Sequence, residues 1–324
     1  MIAGENMSFK PNKTTQSLIN VVNRFFPGHV TVQFIGHHQS GYVRHEQAQT
    51  MQDGKNIYVQ INDLSAPNYT ATHELLHLLM VLRGFPQAFF SLTTGQPKLD
   101  VSLKAMGMEL YDIVSHLVVV REQRKHHLIT PKIEKMYLKG IRVTIRPESK
   151  RMDNEMEIRL TTLLDAMIFY GRHFSQVEPE LAKNYPVALK AAQHLYHVIT
   201  EKPTDSPFGL RRNVVRLFKA FDAQLKAWQL PPLRNDAYTT LTSVLSTHQL
   251  NLQVHQVFRI YHSELNDARY NRRAYVGFSK SDRQNSFVIP EPVNRQKRSG
   301  FVERLYRQPV KELFKRLKMP FIVR

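Results

Sequence analysis

Residues 73–77 read His73-Glu74-Leu75-Leu76-His77. They lie in a longer run, 65–83, where leucines recur at helical intervals. On a helix, positions i and i+4 share a face, so the two imidazoles stand one above the other with Glu74 beside them. Such a pair can hold one Zn²⁺ ion. The carboxylate can then take a proton from a water that the cation has acidified to a pKa of about 7. Leu75, Leu76, Leu78, Leu79 and Leu82 would bury this helix, and Ser65 and Pro67 supply start signals ahead of it.

A catalytic zinc takes three protein ligands and keeps one position open. The next helical stretch offers candidates in Glu109-Leu-Tyr-Asp112-Ile-Val-Ser-His116. Its polar groups fall at i, i+3 and i+7, along one face. Leu103, Met106, Leu110, Ile113, Leu117 and Val120 occupy the opposite face. Three ionisable groups aligned on an otherwise apolar helix are costly to bury without a role. Asp112 could accept the ring N–H of a ligating histidine, and His116 could steady an oxyanion. Tyr111 points elsewhere and reads as packing.

Working outward, Thr14–Phe26 carries Leu18, Ile19, Val22, Phe25 and Phe26 at helical spacing and stops at Pro27-Gly28. Val30–Ile35 and Ile57–Ile61 are short runs rich in β-branched residues and read as strands. A polar stretch from His37 to Lys55 separates them, with a turn signal at Asp53-Gly54. Helices are expected over about 66–83 and 100–124.

This order resembles a minimal zincin domain over about 14–124 and is similar in layout to ImmA/IrrE-type peptidases. A motif helix followed by a Glu-bearing helix looks like the gluzincin arrangement. The metzincin continuation is absent, since Met80 and Arg83 stand where that pattern needs Gly and a ligand. The resemblance implies a zinc-dependent endopeptidase acting on peptide or protein substrates. It makes Glu109 the first choice for third ligand and places the strand Ile57–Ile61 beside the cleft, pairing with extended substrate. The family pattern puts an acid four residues after the Glu, where this chain has Ile113. Asp112 and His116 therefore stay open as the third ligand.

From 131 to 270 the pattern is helical, with Met156–Tyr170, Pro186–Ile199, Leu210–Leu230 and Ala237–Leu250 at i, i+3, i+4 spacing. The expected architecture is α+β and mostly helical. It comprises a small zincin-like domain (1–130), a helical bundle (131–270) and a basic C-terminal segment (271–324).

The 324 residues carry 45 Lys+Arg against 27 Asp+Glu, for a net charge of +18, and +10 of it falls in 271–324. Within that segment Val310, Leu313, Phe314 and Leu317 alternate with Lys311, Lys315, Arg316 and Lys318, the pattern of a basic amphipathic helix. A second class of function follows. Residues 295–324 could engage nucleic acid or an anionic surface, with any metal structural. A third is a zincin scaffold that binds without cleaving, although Glu74 is intact. No cysteine is present, which excludes disulfides, Cys-held zinc and thiol catalysis, and a cytoplasmic setting is the natural reading. Residues 1–13 lack the apolar centre of a signal peptide, and no run approaches the ~20 residues of a membrane span. P-loop, GxGxxG and GxSxG motifs are absent. Ten other histidines, His37, His38, His45, His126, His127, His173, His194, His197, His248 and His255, read as structural.

Overall fold

The computed structural model describes residues 9–44, 47–149, 152–294, 296 and 298–324. His45, Arg295, Lys297 and the first eight residues of the N-terminal reading lie outside them. The fold is α+β and mostly helical. Contacts divide it into two compact units, each built from two separate segments: Met1–Arg83 with Ser115–Leu189, and Gly84–Val114 with Lys190–Arg324. This differs from three consecutive blocks, because the second long helix runs unbroken through the boundary at 114/115.

The first unit begins with α1 (Lys13–Phe25), β1 (His29–Phe34), β2 (Ala48–Asp53), β3 (Asn56–Ile61) and α2 (Pro67–Leu82). The strand order is β1-β3-β2, with β1 parallel and β2 antiparallel to β3. Strand β3 is therefore central, and its backbone groups already pair on both sides. The expected substrate-pairing edge at Ile57–Ile61 is not an edge. Strand β2 lies within the polar stretch that carries no strand signal, and all but its first residue are exposed. Ile57, Val59 and Ile61 alternate inward against Val22 of α1 and Ala71, Leu75 and Leu79 of α2. Each of the valines, leucines and isoleucines contributes about 1.5–3 kcal/mol by leaving water.

Helix α2 starts at Pro67 as its sequence suggests, but Ser65 is not its cap. The Ser65 hydroxyl instead accepts the Gly41 N–H at 2.7 Å. Buried Asp63 organises this entrance, accepting N–H groups from Ser65 at 2.7 Å and Ser40 at 3.0 Å. Burial alone would raise the Asp63 pKa, but the hydrogen bonds from Ser40 and Ser65 outweigh it and hold the carboxyl below its usual value.

The chain continues through β4 (Ala88–Phe89), β5 (Leu92–Thr93), α3 (Pro97–Lys125), α4 (Pro131–Thr144), α5 (Met156–Tyr170), α6 (Glu178–Asn184) and α7 (Pro186–Thr200). Residues 115–125 of α3, with α4, α5 and α6, complete the first unit. Tyr137 stacks flat on Phe169 at 3.7 Å between centroids. The Arg124 guanidinium caps the end of α5 by donating to the carbonyls of Phe169 and Tyr170. Buried Arg159 is fully engaged by Asp153, Glu155 and the Arg146 carbonyl.

The second unit adds α8 (Pro207–Ala227), α9 (Asn235–Tyr238), β6 (Thr240–Leu241), β7 (Ser243–Leu245), α10 (Thr247–Asn251), α11 (Val254–Val257), β8 (Phe258–Asp267), β9 (Arg273–Ser279), β10 (Asn285–Pro290), α12 (Phe301–Tyr306), α13 (Val310–Leu317) and β11 (Phe321–Val323). The helix expected over Ala237–Leu250 is four short elements. Its Thr239-Thr240-Leu241-Thr242-Ser243-Val244 run favours extended backbone, because β-branched side chains crowd a helical turn. A four-stranded antiparallel sheet, β10-β9-β8-β5, forms the centre. The C-terminal segment is woven into this unit and is no appendage. Strand β11 pairs with β7, and Val310, Leu313 and Phe314 are fully buried beside Phe258 and Phe287. Lys311, Lys315, Arg316 and Lys318 line the exposed side of α13. Among the described residues no helix is long and apolar enough to cross a membrane.

Two substitutions probe these arrangements. Asp63→Asn should cost about 1–3 kcal/mol at pH 7. A carboxyl with a depressed folded pKa stabilises fully above its unfolded value and loses that contribution as pH falls through the folded one. The gap between variant and wild type in urea melts should thus be full above about pH 4 and close below it. A Cβ on Gly277 would lie 2.1 Å from the Phe287 ring. Gly277→Ala should therefore cost about 1–3 kcal/mol or more in the same measurement.

Candidate metal centre

Helix α2 presents His73 and His77 one turn apart, and the C-terminal part of α3 brings His116 against them. The ligand-capable atoms of these three residues all lie within 4.8 Å of one another, and among the described residues this is the one such group of three or more. The Nε2 atoms of His73 and His77 are 3.2 Å apart. Two nitrogens bound tetrahedrally to one zinc at 2.0–2.1 Å would be about 3.3 Å apart, so the spacing fits a shared cation. The rings cluster closely, with His116 centred 4.8 Å from His73 and 5.2 Å from His77.

A carboxylate and an amide hold two of the rings from behind. His116 Nδ1 lies 2.5 Å from Asp165 Oδ1 on α5. His73 Nδ1 lies 3.4 Å from Gln123 Oε1, and Gln123 donates in turn to the Tyr69 carbonyl at 3.0 Å. Engaging Nδ1 leaves Nε2 as the nitrogen able to offer a lone pair to the centre, the usual support of a ligating histidine. Tyr137 donates its hydroxyl to the other Asp165 oxygen. Asp165, His116, Tyr137 and Gln123 are all buried, so these bonds form where water cannot compete.

Desolvation, reinforced by the charge of Asp165, raises the Tyr137 hydroxyl well above an ordinary phenol. Burial followed by Asp165 does the same for Tyr69. Both stay protonated throughout the physiological range, and Tyr137 donates to Asp165. The Tyr69 ring is 6.1 Å from that of His73, and Tyr69 senses the Glu74 charge as well. Glu74 and His77 are half-buried, whereas His73 is buried, so the centre opens on the Glu74–His77 side.

Of the residues singled out in the sequence, His73, His77 and His116 come together. Glu109 and Asp112 are half-buried on the part of α3 assigned to the second unit and do not join the group. Gln123, Tyr69, Tyr137 and Asp165 were not legible as site residues. Asp165 carried the one available signal, a lone acid within the apolar run Leu163-Leu164-Asp165-Ala166-Met167-Ile168. His173 pairs with Glu134 at 2.8 Å and His38 lies 3.6 Å from Asp63, consistent with structural duty.

No family model matches the chain, and neither a curated protein nor a solved structure matches it.

The Asp165 contact should hold His116 as the Nδ1–H tautomer. Side-chain ¹⁵N shifts of the metal-free protein check this: a protonated-type Nδ1 and an imine-type Nε2 are expected, and the reverse pattern would show the ring turned over.

Proposed function

We propose that the chain is a zinc-dependent peptidase of the zincin type, with His73, His77 and His116 as the metal ligands and Glu74 as the general base. The observation that carries this reading is the gathering of three imidazoles, two of them in an HExxH helix, with a carboxylate of that helix beside them. His116 takes the place that the gluzincin likeness gave to Glu109. The donor set suits zinc, since neutral imidazoles are among its preferred ligands and three of them leave a fourth position for water or substrate. When bound there, zinc supplies a Lewis acid that polarises a carbonyl and acidifies water.

The chain's own groups account for the rest. Glu74 accepts the proton from the attacking water and can pass it to the departing amine nitrogen. Asp165 fixes the orientation of His116 and adds negative charge behind it, which strengthens its donor nitrogen. Tyr69, kept neutral by burial, has its ring 6.1 Å from that of His73. The expected substrates are peptide bonds in proteins, presented on the half-exposed Glu74–His77 side.

Metal analysis decides between this and a metal-free scaffold. Purified protein should hold about one zinc per chain, and protein that lacks zinc and refuses added zinc would overturn the proposal. His116→Ala should lose the metal while Glu109→Ala keeps it, and the opposite result would return the third position to Glu109. Asp165→Asn should weaken zinc binding about 10–100-fold in a chelator titration. Glu74→Gln should retain the metal and cleave a peptide library at least 100-fold more slowly than wild type.

A further inference from the structure

The second unit contains a cavity of about 1110 Å³ whose floor is the hairpin of β8 and β9. Four cations line it: Arg234, Arg259, Lys280 and Arg283. Among the described residues, none of the four forms an ion pair. Two carboxylates, Asp236 and Glu264, share the lining, which leaves it net positive. Arg234 and Arg283 sit at φ of 56° and 61°, left-handed conformations that glycine adopts freely and a long side chain adopts at a cost. The same cavity thus receives two arginines at positions where backbone geometry favours a residue without a side chain.

The floor is aromatic. Arg259 lies opposite Phe278 and Tyr261 opposite Val276 in the β8–β9 register, so these side chains share the cavity face. Tyr261 is 52% exposed and packs edge-on against Phe278 at 5.8 Å. Further along the same hairpin, Tyr270 is 51% exposed between two guanidiniums, Arg269 and Arg272, each 5.1 Å from its ring. Exposed rings with unpaired cations beside them provide two kinds of contact: a stacking face for a flat base and a charge for a phosphate. An acidic peptide would use only the charges. The volume exceeds that of ordinary small-molecule pockets, which argues for a polymer segment over a single nucleotide.

We propose that this groove binds single-stranded nucleic acid, with Arg259, Lys280 and Arg283 taking phosphates and Tyr261 stacking a base. The site is distinct from the basic C-terminal stretch 295–324 and independent of the metal centre. Phosphate contacts fix the strand without reading sequence, so affinity is expected to be sequence-tolerant and strongly dependent on salt.

The test is fluorescence anisotropy of the full chain with labelled 20-mers of dT and rU, a duplex of the same length, and polyglutamate as competitor. Binding should fall with salt with a log–log slope of about 2, as expected for about three neutralised phosphates on a single strand. The single strands should bind at least tenfold tighter than the duplex, and the dT and rU arms tell whether DNA or RNA is preferred. Arg259→Ala/Lys280→Ala/Arg283→Ala should weaken binding at least tenfold. Tyr261→Ala should weaken it about five- to a hundredfold, with Tyr261→Phe close to wild type. Lys311→Ala/Lys315→Ala/Lys318→Ala on α13 should change affinity less than threefold. Unchanged heat-unfolding midpoints establish that the variants are folded. Equal affinity for duplex, displacement by polyglutamate at matched charge, or loss of binding in the α13 variant but not in the groove variants would each overturn the assignment, as would no binding at 50 mM salt.

Discussion

The 2.5 Å contact between His116 and Asp165 joins two helices that are far apart in sequence and sets the third imidazole in place. Without it, α3 would carry a histidine whose ring could turn either nitrogen toward α2. A buried carboxylate is tolerated only where its lone pairs are satisfied, and here one oxygen faces the imidazole while the other accepts from Tyr137. Tyr137 is itself fixed by stacking on Phe169, so the packing of α4 and α5 reaches the centre through one carboxylate. The one-turn spacing of His73 and His77 needs only the helix they sit on; the placing of the third imidazole needs the layer behind it.

That dependence explains why part of the centre was legible in the sequence and part was not. The spacing of His73 and His77 is a local fact, since helical geometry alone places them together. Glu109, Asp112 and His116 also share a face by spacing. Spacing along one helix does not say which of its turns meets another helix; the likeness to gluzincins pointed to Glu109, whereas the three imidazoles that gather are His73, His77 and His116. Gln123 and Asp165 stand 50 and 49 positions from the histidines they support, and no periodicity connects them. Strongly patterned helices such as α1, α2 and α5 were read closely. Strand β2 was missed because Ala48-Gln49-Thr50-Met51-Gln52-Asp53 has no buried face to produce alternation. The reading of 237–250 failed in the opposite sense: apolar residues fell at helical intervals in a stretch whose threonines prefer extended backbone.

The excess of positive charge also changes meaning. In the sequence it concentrates toward the C-terminus and suggests an appended binding segment. In the fold those residues supply strands β9, β10 and β11 and the buried face of α13, so the cations are what remains outside after the apolar positions turn inward. Val310, Leu313 and Phe314 alternate with lysines for the ordinary reason that a surface helix has two sides.

The division of each unit into two chain segments has a consequence for how the protein is made. The HExxH helix is complete once residue 82 has been synthesised. The imidazole at 116 and the carboxylate at 165 follow much later, with a stretch belonging to the other unit between. At about 5–20 residues per second, synthesis from Arg83 to Leu189 takes roughly 5–21 s. During that interval the apolar face of α2 and both edges of its small sheet have only a partial core to rest on. Nascent chains of this protein are therefore expected to lean on chaperones until the segment ending at Leu189 has emerged, and a gene cut at the apparent boundary near 130 would encode a unit without the layer that closes it.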